Sequence, residues 1–123
     1  MNWLAVAAGG ALGASLRYAL ALSLAGKLGK FPLATFVANC TGAFLMGLGF
    51  ILLVERMPPD NVWRHFFLVG GLGALTTFST FSIEIVSLVQ AGYLKLALIY
   101  TLLSVVVCVL AVALGMMFAK HVL

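Results

Sequence analysis

The feature that most constrains this chain is a succession of four apolar stretches, each long enough to cross a bilayer, separated by loops of a few residues. A helix crossing the hydrocarbon core needs about 20 mostly apolar residues. Four stretches meet that length: residues 3–24, 32–54, 66–90 and 94–118. Composition agrees. Of 123 residues, 64% are hydrophobic and 8% charged, and the mean hydropathy is +1.21. A soluble domain has roughly 45–50% apolar and about 25% charged residues. The formal charge of +4 is dispersed, with no basic block of the kind that tracks nucleic acid. A soluble enzyme, a nucleic-acid-binding module and a disordered tail are therefore excluded. The expectation is an all-α integral membrane protein, one four-span domain over residues 1–123, in contact with membrane lipid. No loop can hold a folded domain, so function has to sit within the membrane.

The breaks between spans carry the expected punctuation. Residues 26–32 contain Gly26, Gly29 and Pro32, the last suited to a first helical turn. Glu55, Arg56, Pro58 and Pro59 end the second span, and Ala91-Gly92-Tyr93 forms a tight third turn. The opening segment lacks the basic n-region of a signal peptide and contains Arg17, so it reads as a retained span. Cys40 and Cys108 lie in apolar runs and read as small packing residues.

Orientation is not encoded by charge. Arg56, Arg64 and Lys120 fall on one side, Lys27, Lys30 and Lys95 on the other, and Arg17 lies inside the first span. The positive-inside rule acts through a Lys/Arg bias, and none exists here. A short chain with a noisy count accounts for this. So does insertion in both orientations with antiparallel self-association, which would build the inverted architecture of many transporters.

The polar residues within the spans are few. Gly9 and Gly13 form a G-x-x-x-G that favours close helix association without naming a partner. Arg17 is either a snorkelling side chain or a functional group that attracts an anion or holds a loop. Asn39, with Thr35 one turn before it, is either interhelical glue or a donor facing a path. The third span is the most specific. Gly70, Gly71 and Gly73 precede Thr76, Thr77, Ser79, Thr80 and Ser82. Glycines and hydroxyls concentrated at mid-membrane favour a helix broken at its centre, whose freed carbonyls make ion ligands. Phe78 and Phe81 share one face there, and the positive edge of a benzyl ring favours an anion. Glu84 follows one turn later. Tyr100, Ser104 and Cys108 recur every fourth residue as a polar stripe on the fourth span.

Over its whole length the chain resembles the Fluc (CrcB) family of fluoride channels. The carriers are Gly9-Gly10-x-x-Gly13-Ala14-x-x-Arg17-Tyr18, Val37-x-Asn39 and the run from Gly73 to Ser82. The resemblance implies an antiparallel dual-topology homodimer, in the inner or plasma membrane, with two pores that export fluoride passively. It implies a structural sodium held by the backbone carbonyls of Gly73 and Thr76. Phe78 and Phe81 would present ring edges to the ion, with Asn39, Ser79 and Thr80 beside them in the pore. Arg17 would stand in the vestibule, and Glu84, Tyr100 and Ser104 on a polar track. This chain departs from the family at Cys108, where a Ser is usual, at Val112, where a Thr is usual, and at Ala74, where a second Gly is usual.

The principal alternative is a small dual-topology, proton-coupled multidrug antiporter. That mechanism needs a membrane-embedded carboxylate, typically in the first helix, whereas the first span has Arg17 and no Asp or Glu. A structural subunit, with every polar residue as glue, is a third class. An enzyme is the weakest reading, because His65 and His121 sit at span edges with no nucleophile–base pair beside them.

Overall fold

The computed structural model describes residues 2–123. The described residues form helices and no strands. Helix α1 covers Asn2–Leu24 and α2 covers Leu33–Glu55. The third span, Val62–Gln90, consists of α3 over residues 62–75 and α4 over Phe78–Gln90. Helix α5 covers Leu94–Val122. All four spans are long and apolar enough to cross a membrane.

The boundaries differ from the sequence expectation by one residue at the start of α1 and at both ends of α2, and by four at the start of the third span and the end of α5. Helix α2 starts at Leu33, with Pro32 just outside as its N-cap. The third span starts at Val62 instead of residue 66, because the Asn61 side chain accepts a 2.8 Å hydrogen bond from the Trp63 N–H and caps it. Helix α5 runs four residues past 118, and the Arg56 guanidinium donates to the Ala119 carbonyl at 3.2 Å near its end. The turn from α4 to α5 is closed by Gly92 at φ +88. Tyr93 N–H donates to Leu88 (2.8 Å) and Gly92 N–H to Val89 (3.1 Å), the paired bonds of a Schellman motif.

Short loops make successive spans antiparallel, so alternate spans run parallel. The structure uses this: α1 lies along α3, and α2 along α5. Both pairs are backbone-to-backbone. A Cβ on Gly9 would overlap the Phe66 carbonyl oxygen, and one on Gly13 the Gly71 carbonyl oxygen. In the second pair, a Cβ on Gly47 would overlap the Val112 carbonyl oxygen, and one on Gly115 that of Phe44. Such small-residue seams bring helices into dispersion contact that lipid cannot match. The G-x-x-x-G of the first span thus has its partner within the chain.

The glycines of the third span also have a different role from the one expected. Gly70, Gly71 and Gly73 stay helical, the first two within a wider π-helical stretch, His65–Leu72. The missing side chain of Gly70 admits α1: a Cβ there would stand 2.9 Å from the Gly10 nitrogen. The backbone leaves the helix later. Thr76 (φ −81, ψ 152) and Thr77 (φ −152, ψ 121) are extended, and α4 begins at Phe78.

Little of each span is buried within one chain, between 11 and 28% of its most apolar stretch, so most of the apolar surface is left for lipid or another protein. Gly13→Ala should lower stability by about 1–3 kcal/mol, since neither backbone can yield easily. Gly10→Ala, whose Cβ meets nothing within 4 Å, should be near neutral. Thermal unfolding midpoints of the purified protein in detergent distinguish the two.

Candidate functional site: an extended link at mid-span beside a cavity

Two extended residues in an apolar span strand backbone groups that hydrocarbon cannot solvate, so each must find a partner. Asn39 on α2 supplies two of them. Its Oδ1 accepts from the Thr77 N–H at 2.8 Å, and its Nδ2 donates to the Thr77 carbonyl at 3.1 Å. Arg17 on α1 supplies a third, its Nε donating to the Ala74 carbonyl at 3.0 Å. A cation at that carboxyl-terminal turn also complements the helix dipole. Thr77 then caps α4, its Oγ1 accepting from the Thr80 N–H at 3.1 Å. The Thr76 hydroxyl is spent on the Leu72 carbonyl at 2.8 Å.

These substitutions free particular carbonyls. In a continuous helix the Thr77 N–H would bond to Gly73 and the Thr80 N–H to Thr76. Here the first goes to Asn39 and the second to the Thr77 hydroxyl. The Gly73 and Thr76 carbonyl oxygens are thereby released from helical pairing, on either side of the bend. Among the described residues there is no cluster of three His, Cys, Asp or Glu side chains that could hold a metal.

A cavity of about 340 Å³ adjoins the link, lined by Asn39, Thr76, Thr77, Phe78, Phe81, Ser104, Cys108 and Val112 among others. The two phenylalanines differ. Phe81 is 6% exposed, its ring packed edge-on to Tyr100 at 5.1 Å, whereas Phe78 is 77% exposed. Their centroids are 5.6 Å apart and the rings tilted by 53°. The Ser104 hydroxyl on the cavity wall is buried and is, among the described residues, the one buried side-chain polar atom without a partner.

Beyond Phe81, Glu84 is half-buried between α2 and α5. The Thr35 hydroxyl donates a hydrogen bond to its Oε1, and the Tyr100 hydroxyl donates to its Oε2 at 3.3 Å. A second cavity, about 260 Å³, is lined by Arg17, Tyr18, Thr35 and Thr80 among others.

This architecture has known relatives. A family model described as CrcB-like protein, Camphor Resistance (CrcB), matches residues 4–116. The chain belongs to that family. It is 44% identical over 118 residues to a protein of Saccharophagus degradans named fluoride-specific ion channel FluC, covering 96% of this chain and 89% of the relative. It is 47% identical over 116 residues to one of the same name from Magnetococcus marinus, covering 94% of each. A third, from Hahella chejuensis, is 44% identical over 119 residues, 96% of this chain and 94% of the relative. With four such spans, this CrcB-family chain is a multi-pass membrane protein.

The structure brings Asn39, Gly73, Thr76, Phe78 and Phe81 together around the link, and Ser104 faces them from α5. Arg17, which lines the second cavity, bonds to Ala74 two residues before the link. Ser79 and Thr80 sit in the first turn of α4, where the Thr77 hydroxyl contacts both at 3.2 Å. Glu84 and Tyr100 form a separate hydrogen-bonded group. Thr77, as cap and as the recipient of both Asn39 bonds, and Thr35, as donor to Glu84, were given no role by sequence reasoning. A Thr directly before the first residue of α4 is the cap signature that marks Thr77. Thr35 is on the face of Asn39 one turn away, but its partner lies 49 residues on.

Asn39→Ala leaves both backbone groups of Thr77 without their side-chain partner, costing about 1–3 kcal/mol for each polar group stranded. Faster hydrogen exchange at the Thr77 amide is the expected result. Unaltered protection would mean that the Asn39 amide does not hold the link.

Proposed function

We propose that this chain is a fluoride channel of the cell membrane, exporting fluoride passively as an antiparallel dual-topology homodimer with two pores and a structural sodium between them. The observation that carries the reading is the extended Thr76–Thr77 link opening onto a cavity that holds two phenylalanine rings and an unpartnered hydroxyl. The names of the relatives point to the same ion.

Fluoride is small and strongly hydrated, so a selective path must replace its water with groups of matching polarity. The amide of Asn39, the Ser104 hydroxyl and the hydroxyls of Ser79 and Thr80 offer donors. The N-terminal turn of α4 adds the positive end of a helix dipole. The hydrogens at the edge of the Phe78 and Phe81 rings carry partial positive charge, stabilising an anion without admitting the water a hydroxyl would hold. Tyr100, packed edge-on to Phe81, keeps that ring from turning. Further along, Tyr100 and Thr35 hold the Glu84 carboxyl, which keeps a potentially repulsive group engaged. Arg17, fixed on the Ala74 carbonyl, favours anion entry from the second cavity.

The donor set fits sodium. Two carbonyl oxygens released from helical pairing, Gly73 and Thr76, are hard, neutral ligands, and two inverted copies would present four. A bound sodium supplies positive charge that ties the two bends together. The exposed Phe78 and Gly73 are then surfaces for the second copy. An even Lys/Arg distribution across the loops supports insertion in both orientations.

Fluoride efflux from liposomes containing the purified protein, read with a fluoride electrode, tests the reading, and absence of flux would sink it. Phe78→Ile or Phe81→Ile preserves bulk but removes the polarised edge. Losing about 1.4 kcal/mol at the barrier slows flux tenfold, and a loss of that size or greater is expected with the dimer intact. Thr76→Ala should retain sodium, measured by atomic emission on the washed protein, because the carbonyl remains and the hydroxyl is already bound to Leu72. Sodium lost in that variant would make the hydroxyl a ligand.

A further inference from the structure

The one pair of potentially nucleophilic groups left unused by the proposed pathway is Cys40 and Cys108. They lie 68 residues apart in sequence, on α2 and α5, with their Sγ atoms 3.7 Å apart. Both are free and half-buried. A disulfide forms where S–S can close to about 2.05 Å between backbones already near one another. The α2–α5 seam meets that condition. One to two turns beyond the cysteines, Gly115 faces the Phe44 carbonyl and Gly47 that of Val112, with no side chain between the helices. The sulfurs already face each other, so side-chain rotation covers most of the remaining approach.

Access divides the two. Cys108 lines the 340 Å³ cavity together with Phe78, Phe81 and Ser104. Cys40 is not among its lining residues, although Asn39 directly before it is. A small neutral oxidant in the cavity reaches Cys108 first.

We propose that Cys40 and Cys108 form a redox-responsive cross-link, closed by a peroxide and opened by a dithiol. The Cys108 sulfur attacks one oxygen of hydrogen peroxide. The O–O bond breaks, leaving a sulfenic acid on Cys108 and one water. The Cys40 sulfur then attacks the Cys108 sulfur, the S–O bond breaks, and the hydroxyl departs as a second water carrying the Cys40 proton. In sum, two thiols lose two electrons and two protons, and one peroxide becomes two waters. The bond pins α2 to α5 one residue from the Asn39 clamp and takes the Cys108 thiol out of the cavity wall. Closing the cross-link lowers conduction. That consequence rests on the fluoride-channel reading, whereas the thiol chemistry does not.

The test treats the full-length protein in liposomes with hydrogen peroxide and follows intact mass, maleimide labelling and fluoride efflux on the same sample. The expected product is a single chain lighter by two hydrogens, with neither cysteine labelled. Efflux falls at least twofold, equivalent to about 0.4 kcal/mol or more at the barrier, and dithiothreitol restores mass, labelling and efflux. Cys40→Ser and Cys108→Ser should each fail to yield that product, and wild-type mass alone decides the point should either variant fold poorly. Two labelled thiols after peroxide, or a cross-link between chains in place of one within a chain, would overturn the proposal. A cross-linked protein with unaltered efflux would overturn its effect on conduction. Absence of efflux before oxidation, with the cross-link still forming, would instead count against the channel reading.

Discussion

The structure depends on how two non-helical residues are satisfied inside an apolar span. The Thr77 N–H and the Thr76 carbonyl leave the regular ladder where water is absent, while the Thr76 N–H keeps its bond to Leu72, and an unpaired amide there costs several kcal/mol. Asn39 answers both backbone groups of Thr77, Arg17 answers Ala74, and the Thr77 hydroxyl answers Thr80. The link is therefore tied to α1, to α2 and to its own following helix. That redundancy makes it a fixed feature of the fold, and the carbonyls left over are the ones available to a ligand.

Two glycine seams make this arrangement possible. Backbone contact between α1 and α3 brings Arg17 within reach of Ala74, which a larger residue at Gly13 would prevent. Backbone contact between α2 and α5 sets Asn39 and Ser104 on two walls of one cavity. In both pairs the glycines act by what they omit. Helix axes draw together, and Thr35 and Ser104 are buried between them.

The polar groups divide into those consumed by the fold and those left open. Ser82 and Thr101 bond back to their own helices, to Phe78 and Ala97, and Thr76 does the same. Glu84 is engaged by Thr35 and Tyr100. Among the described residues the Ser104 hydroxyl alone is a buried side-chain polar atom without a partner, and of the two rings Phe78 lies open. The unfilled capacity lies along the cavity, where a transported ion would use it. Cys108 lies in the same row, one turn beyond Ser104. There a thiol brings a chemistry that a hydroxyl would lack.

Four spans, their tight loops and the concentration of glycine and hydroxyl residues in the third were legible directly, because length, hydropathy and turn chemistry are local properties. The face carrying Tyr100, Ser104 and Cys108 was legible for the same reason, since helical spacing fixes which residues align. What the glycines do was not. Gly70 and Gly71 could equally unwind a helix or admit a neighbour, and only the position of α1 decides that they stay helical while the backbone departs six residues after Gly70. Asn39 likewise offers the same amide to a partner helix or to an ion. Its assignment to Thr77 follows from the crossing of α2 over the link, a relation between residues 38 positions apart. Sequence by itself determined the elements and the inventory of polar groups. Tertiary structure alone decided which of those groups are spent on one another, because hydrogen bonds across helices depend on distances that no local pattern contains.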